Sequence, residues 1–215
     1  MDKVKVIACL LLLGSTAVPI CPGQTVPVER KVSCMASRGE RKEKKAEIPL
    51  YVSFGAGQTV VRPDYKNNQK QLAGIYNVIE KIANDSTFVL EAIQLCGFAS
   101  PEGNYEYNTR LSFDRAQALK NYLLKRYPMQ ARLIEVGCKS EDWERLQALV
   151  VVSDLSCKQE IRSIITSVSD PDDREAWIWQ IDDGTTYRIL LNHYYPLLRR
   201  VECDILYRTI PFAAP

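Results

Sequence analysis

The sequence predicts an α/β fold, a two-layer sandwich in the order β-α-β-α-β-(insert)-β with a mixed sheet carrying its helices on one face. Three observations predict it. Apolar residues alternate strictly near both ends of the folded region, at Ile48, Leu50, Val52 and Phe54 and again at Val201, Cys203, Ile205 and Tyr207. At Leu72, Ile75, Ile79 and Ile82 they recur three or four apart, the period of a helix with one buried face. Between these stretches "TFVLEAIQLCGFA" is apolar almost without a break, as a central strand covered on at least one face would be.

In chain order, residues 1–23 read as a secretory signal peptide: two lysines, an apolar run over 4–13 too short to span a bilayer, then small residues. Cleavage fits after Ala17 or after Gly23. Cys21 follows Val18, Pro19 and Ile20 rather than the small residues that precede a lipid-modified cysteine. Residues 24–47 set Arg38, Arg41, Lys42, Lys44 and Lys45 against Glu40, Glu43 and Glu47, the composition of a solvated linker or arm. No transmembrane span is expected in the mature chain.

The domain is expected over 48–210. Its first strand is followed by the turn-forming "RPDYKNN", the first helix ending near "AND", and the central strand. A second helix begins near Asn108 and is stopped by Pro128. "RLIEVGC" then forms a strand with Ile134, Val136 and Cys138 on one face and Glu135 on the other. An insert over about 139–198 is helical, because "EDWERLQALVVV", "KQEIRSIITSV" and "PDDREAWIWQI" each set capping residues before an apolar period. Trp177 and Trp179, two apart on a helix, should face different sides, one core and one exposed. The last strand keeps Glu202 and Asp204 on a wet face.

With 215 residues, 46% of them hydrophobic, the chain can bury a core without staples. Its 28 basic and 26 acidic residues are dispersed, so no single-sign field is available for a nucleic acid. Its seven cysteines show no CxxC or Cys/His spacing, so neither zinc nor another cofactor is expected. Cys96, Cys138 and Cys203 read as small hydrophobes on strands. The lone histidine, His193, sits in "LLNHYYPLL" as a structural residue, and no GxSxG or HExxH motif is present, so no enzyme is expected.

The stretch "GFASPEGNYEYNTRLSFDRAQAL" carries the candidate site. With a helix starting near Asn108, Leu111, Arg115, Ala118 and Tyr122 share one stripe, so Arg115 should reach solvent at the rim of the core. Loop 100–104 leaves the carboxyl end of the central strand, the usual ligand crevice of an open α/β sheet. The combination offers a guanidinium for a carboxylate, backbone N–H groups at the helix start, and Glu102 for an ammonium. A zwitterionic amino-acid group fits it. The alternative is that Arg115 pairs with Glu102 or Asp114 and closes the loop.

Gly97, Gly103, Tyr107-Asn108, Leu111-Ser112 and Arg115-Ala116, with "RRVE" from Arg199, resemble the signature of the OmpA-like C-terminal domain. The same domain occurs in Pal lipoproteins and flagellar stator proteins. The "ASPEG" loop and "EDWERL" resemble Bacteroidetes members of that family. The resemblance implies an OmpA-like sandwich and noncovalent binding of peptidoglycan, with an aspartate and an arginine gripping the ammonium and carboxylate of a diaminopimelate side chain. The arginine corresponds to Arg115, and the aspartate position holds Ser100, with Glu102 two residues on as its replacement. Ser100, Glu102, Gly103, Asn108 and Arg115 are therefore the expected ligand-binding residues, in an exported protein of the periplasm or outer-membrane envelope. The alternative function is an OmpA-fold scaffold that has lost this ligand and binds an envelope protein through the insert.

Overall fold

The alternating apolar positions of the strands and the helical stripe at Leu72, Ile75, Ile79 and Ile82 close on each other across one interface. In the computed structural model, which describes residues 44–45 and 50–210, four ladders make a single mixed sheet. The predicted signal peptide, Cys21 and the predicted linker, apart from the backbone of 44–45, lie outside the described residues.

Strand β3 (Phe88–Ala99) is central. It pairs in parallel with β4 (Ile134–Glu141) and antiparallel with β5 (Arg200–Thr209), with Leu95 opposite both Val136 and Cys203. Beyond β5 lies an edge formed by β1 (Lys44–Lys45) and β2 (Leu50–Ser53), both antiparallel to β5. Helices α1 (Asn68–Asn84) and α2 (Tyr105–Arg126) supply the second layer. Leu72, Ile75, Ile79 and Ile82 of α1 meet Leu50, Val52, Ile93, Leu95, Val201, Cys203 and Ile205 of the sheet in one core. Burying each such aliphatic side chain is worth roughly 1.5–3 kcal/mol, which fixes α1 on this face. The other face stays wet: Gln94 donates to Glu135 across it at 3.1 Å.

The described start of α2 is three residues earlier than expected. Asn104 caps it, accepting from the Tyr107 amide at 3.1 Å, and Gly103 takes φ +85° to turn the chain into that cap. The buried stripe accordingly runs through Asn108, Leu111, Ser112, Arg115, Ala116, Leu119 and Leu123, while Ala118 and Tyr122 are half-buried. Gly97 sets how close this helix comes, since a Cβ there would lie 1.9 Å from the Ser112 carbonyl oxygen.

Between β4 and β5 the chain makes α3 (Trp143–Val151), α4 (Lys158–Ser167), α5 (Pro171–Gln180) and α6 (Thr185–Ile189), followed by irregular helical turns to Leu197. These helices have their own core, in which Trp143, Leu146, Ile161, Ile165, Ile178 and Tyr195 meet. Trp177 and Trp179 correct an expectation: both are exposed, at 57% and 51%. Ile178 between them is the buried residue of α5, which leaves the tryptophans on its flanks. Cys203 is buried, Cys96, Cys138 and Cys157 are partly so, and no disulfide joins the described cysteines. No described helix is long and apolar enough to cross a membrane.

Candidate functional site

The site is built where four chain segments end together: the carboxyl ends of β3 and β4, the start of α2, and the start of β5, which lies beside the end of β3 through the Phe98–Arg200 pair. Loop 100–104 joins β3 to α2. Both Ser100 and Asn108 are buried, and Glu102 is partly so.

Arg115 is the first correction. It does not reach the rim; it is 1% exposed and spends three donors on main-chain carbonyls. Nε donates to Gln58 O at 3.0 Å, and the two terminal nitrogens donate to Phe98 O at 3.0 Å and Gly55 O at 2.9 Å. The guanidinium also lies over the Phe54 ring, 5.6 Å from its centroid. Burial, and then the Arg199 cation, lower its pKa to about 10, so it stays charged at neutral pH. Neither expected partner, Glu102 nor Asp114, is hydrogen-bonded to it. What Arg115 does is join the loop after β2 to the end of β3. That loop is held from its other side by buried Asn68, which accepts from Ser53 N at 2.8 Å and donates to Ser53 O and Arg62 O at 2.9 and 2.8 Å.

The cation beside the loop is Arg199. Its Nε donates to Ser100 Oγ at 3.0 Å, and a terminal nitrogen makes a short ion pair with Glu102. Glu102, expected to wait for a ligand ammonium, is thus matched by the arginine immediately before β5. Asn108 ties the loop to the neighbouring strand by donating to Glu102 O at 3.0 Å and to Glu141 Oε1 at 2.8 Å.

The helical insert supplies the anions. Glu175 of α5 accepts from the Gly103 amide at 3.1 and 3.2 Å and from the Tyr187 hydroxyl. Asp172 accepts from the Tyr105 amide at 2.8 Å and from Asn104 Nδ2 at 3.2 Å. The backbone donors at the start of α2 therefore already carry two carboxylates. Burial raises the pKa of Glu175, and the charges of Glu102 and Asp172 push the same way against the hydrogen bonds from Tyr187 and Gly103.

Deeper in, β4 kinks at Ser140, a non-glycine residue at φ +52°, and beyond the kink Glu141 is buried, accepting from Trp143 Nε1 at 2.8 Å as well as from Asn108. Arg200, stacked 4.2 Å from the Phe98 ring centroid, donates to Asp142 at 2.6 Å and to Glu202, joining β5 to the N-cap of α3. Of the expected site residues, Ser100, Glu102, Gly103 and Asn108 share one network and Arg115 lies behind it. Arg199, Glu141, Asp172 and Glu175 were missed as site residues. Two arginines entering an alternating apolar strand, and the acids of "PDDREAW", are the sequence signals that mark them.

Burial holds the Glu141 carboxyl at about 7, above its ordinary 4.5; hydrogen bonds from Asn108 and Trp143 oppose the shift, and the Asp172 and Glu175 charges add to it. A carboxyl whose folded pKa is raised binds its proton more tightly in the folded state. Its contribution is full below the unfolded pKa and is lost as pH rises through about 7. Raising the pH from about 5 to about 8 should therefore remove roughly 2 kcal/mol of stability through this group, after allowing for partial screening. Urea midpoints across that range measure it, and Glu141→Gln should flatten the slope.

Among the described residues no group of three or more His, Cys, Asp or Glu is placed to hold a metal ion. No family model matches the chain. Over 74 residues it is 32% identical to Outer membrane protein 41 of Porphyromonas gingivalis, covering 34% of this chain and 18% of that protein, so the match spans less than a fifth of the relative's length. Among solved structures it is similar to the OmpA-like domain of FopA1 from Francisella tularensis, at 15% identity and TM-score 0.41, covering 80% of this chain and 79% of that one. It is also similar to the peptidoglycan-associated lipoprotein of Burkholderia pseudomallei, at 16% identity and TM-score 0.40 over 74% of this chain and 90% of that one. An outer membrane protein of Borrelia burgdorferi aligns at 16% identity and TM-score 0.39 over 78% and 97% of the two chains.

Proposed function

We propose, taking the OmpA-like resemblance as premise, that this chain is a noncovalent peptidoglycan-associating module of the bacterial envelope that recognises a diaminopimelate-type stem peptide at loop 100–104. It is exported, works in the periplasm in association with the outer membrane, and binds without catalysing a reaction. One observation carries the reading: the loop is a carboxylate-binding element, since the Gly103 and Tyr105 amides hold the carboxylates of Glu175 and Asp172 at hydrogen-bond distance. Free carboxylates are what a stem peptide presents. Backbone donors at a helix start suit that charge.

Co-sedimentation of the protein with purified diaminopimelate-type sacculi tests this. The expected result is saturable binding that a soluble stem peptide competes away. Absence of sedimentation at any protein concentration supports the second reading, an OmpA-fold scaffold that binds an envelope protein through the insert. That reading is favoured by the Arg199–Glu102 pair, which satisfies the acid expected to take the ligand ammonium. It expects partner loss when residues 139–198 are deleted.

A further inference from the structure

We infer that helix α5 is a built-in latch, its Asp172 and Glu175 carboxylates acting as internal competitors for the ligand carboxylate at loop 100–104. The inference rests on the reading of that loop as the stem-peptide site. A ligand carboxylate and the insert acids need the same donors, the amides of Gly103 and Tyr105 and the Asn104 side chain, so one displaces the other.

The construction of α5 suits a part that moves. Of its ten residues only Ile178 is buried, whereas α3 buries Trp143, Leu146 and Val150 and α4 buries Ile161, Ile164 and Ile165. Apart from that one anchor and the edge contact of Trp179 with the Tyr187 ring, α5 is held by polar and cation–π contacts: the two acids on the loop, and Arg174, which donates to Val168 O at 2.6 Å and lies 5.4 Å from the Trp143 ring centroid. A helix so attached opens at a smaller free-energy cost than its neighbours.

Its carboxyl end supplies a hinge. Asp182, Asp183 and Gly184 follow one another at φ +49°, +52° and +78°. Two consecutive non-glycine residues in the left-handed region are each strained by about 1 kcal/mol or more. The latch assigns the opening rotation of α5 to these three residues. The closed contact is also uneasy electrostatically, because Glu175 is brought next to Glu102 and Asp172, charges of its own sign. On the far side of this hinge Tyr187 of α6 donates its hydroxyl to Glu175, and its ring centroid lies 5.0 Å from that of Trp179, so opening α5 has to break these contacts as well as those to the loop.

Calorimetry with the soluble tripeptide L-Ala-D-Glu-meso-diaminopimelate separates the cases, using wild type, the double variant Asp172→Ala/Glu175→Ala, and the charge-removing double variant Asp172→Asn/Glu175→Gln. The latch predicts that the alanine variant binds at least about tenfold tighter than wild type, with the amide variant between them. Hydrogen exchange at the Gly103 and Tyr105 amides should speed up in the free alanine variant and slow again on adding the peptide. The amide variant keeps hydrogen-bond acceptors on α5, so it serves if the alanine variant folds poorly. Wild type and both variants binding equally overturns the latch and leaves the peptidoglycan reading standing. Failure of all three to bind overturns both.

Discussion

Arg115→Ala lowers the stability of the fold by about 2–5 kcal/mol, the range for truncating a large buried side chain to alanine. The substitution takes a charged donor from Gly55 O, Gln58 O and Phe98 O, of which only the Phe98 bond is fully buried and Gly55 O keeps the Gln58 amide, and leaves a cavity the size of a guanidinium and its stem. A buried acceptor left without a donor costs about 1–3 kcal/mol, and the two loop carbonyls lose less than that because water or the Gln58 amide remains to them. The motif alone predicts the reverse, an intact fold with weakened ligand binding, because a rim cation contributes little to a core. Arg115→Lys should recover only part of the loss, since an ammonium cannot reproduce a planar fork aimed at three separate carbonyls. Urea denaturation of wild type and the two variants decides the matter. An alanine variant within about 1 kcal/mol of wild type would return Arg115 to the role of ligand-facing cation.

Gly97→Ala should be as damaging, by about 3 kcal/mol or more, and for a steric reason. The added Cβ would stand 1.9 Å from the carbonyl oxygen and 2.7 Å from the carbonyl carbon of Ser112. Both are backbone atoms, so no rotamer change relieves the clash, and α2 must back away from β3. Backing away carries Asn108 and Arg115 with it and breaks their bonds to Glu141 and Phe98. The expected result is poor soluble yield or a much lower denaturation midpoint. By contrast, Gly103→Ala meets nothing within 4 Å; it suffers only from its φ of +85° and should leave a foldable protein with a distorted loop.

The two layers were legible in the sequence because the signal for them is local. Alternation at Leu50, Val52 and Phe54 and at Val201, Cys203 and Ile205, and the three-four spacing of Leu72, Ile75, Ile79 and Ile82, each state which face of an element is apolar, and every one of these residues is buried. The near-continuous apolar run of β3 marked it as central, which its pairing with both β4 and β5 bears out. The helix-forming temper of the insert was readable for the same reason, through caps such as Asp170, which accepts from the Asp172 and Asp173 amides ahead of Pro171.

What the sequence determined, then, is which residues leave water and on which period. Which polar groups meet was decided by the tertiary structure alone. Arg115 reaches carbonyls 57 and 60 residues away, Arg199 finds Ser100 across 99 residues, and the α5 acids meet the loop across 67 to 72. Burial follows from the free energy of each side chain in water, a property the residue carries wherever it sits in the chain. A buried charge instead takes whichever partner the completed packing brings within about 3 Å, and no periodicity records that distance. Ser100, Glu102 and Gly103 therefore share one loop, yet the arginine beside Glu102 is Arg199, and the carboxylates on the loop are the chain's own.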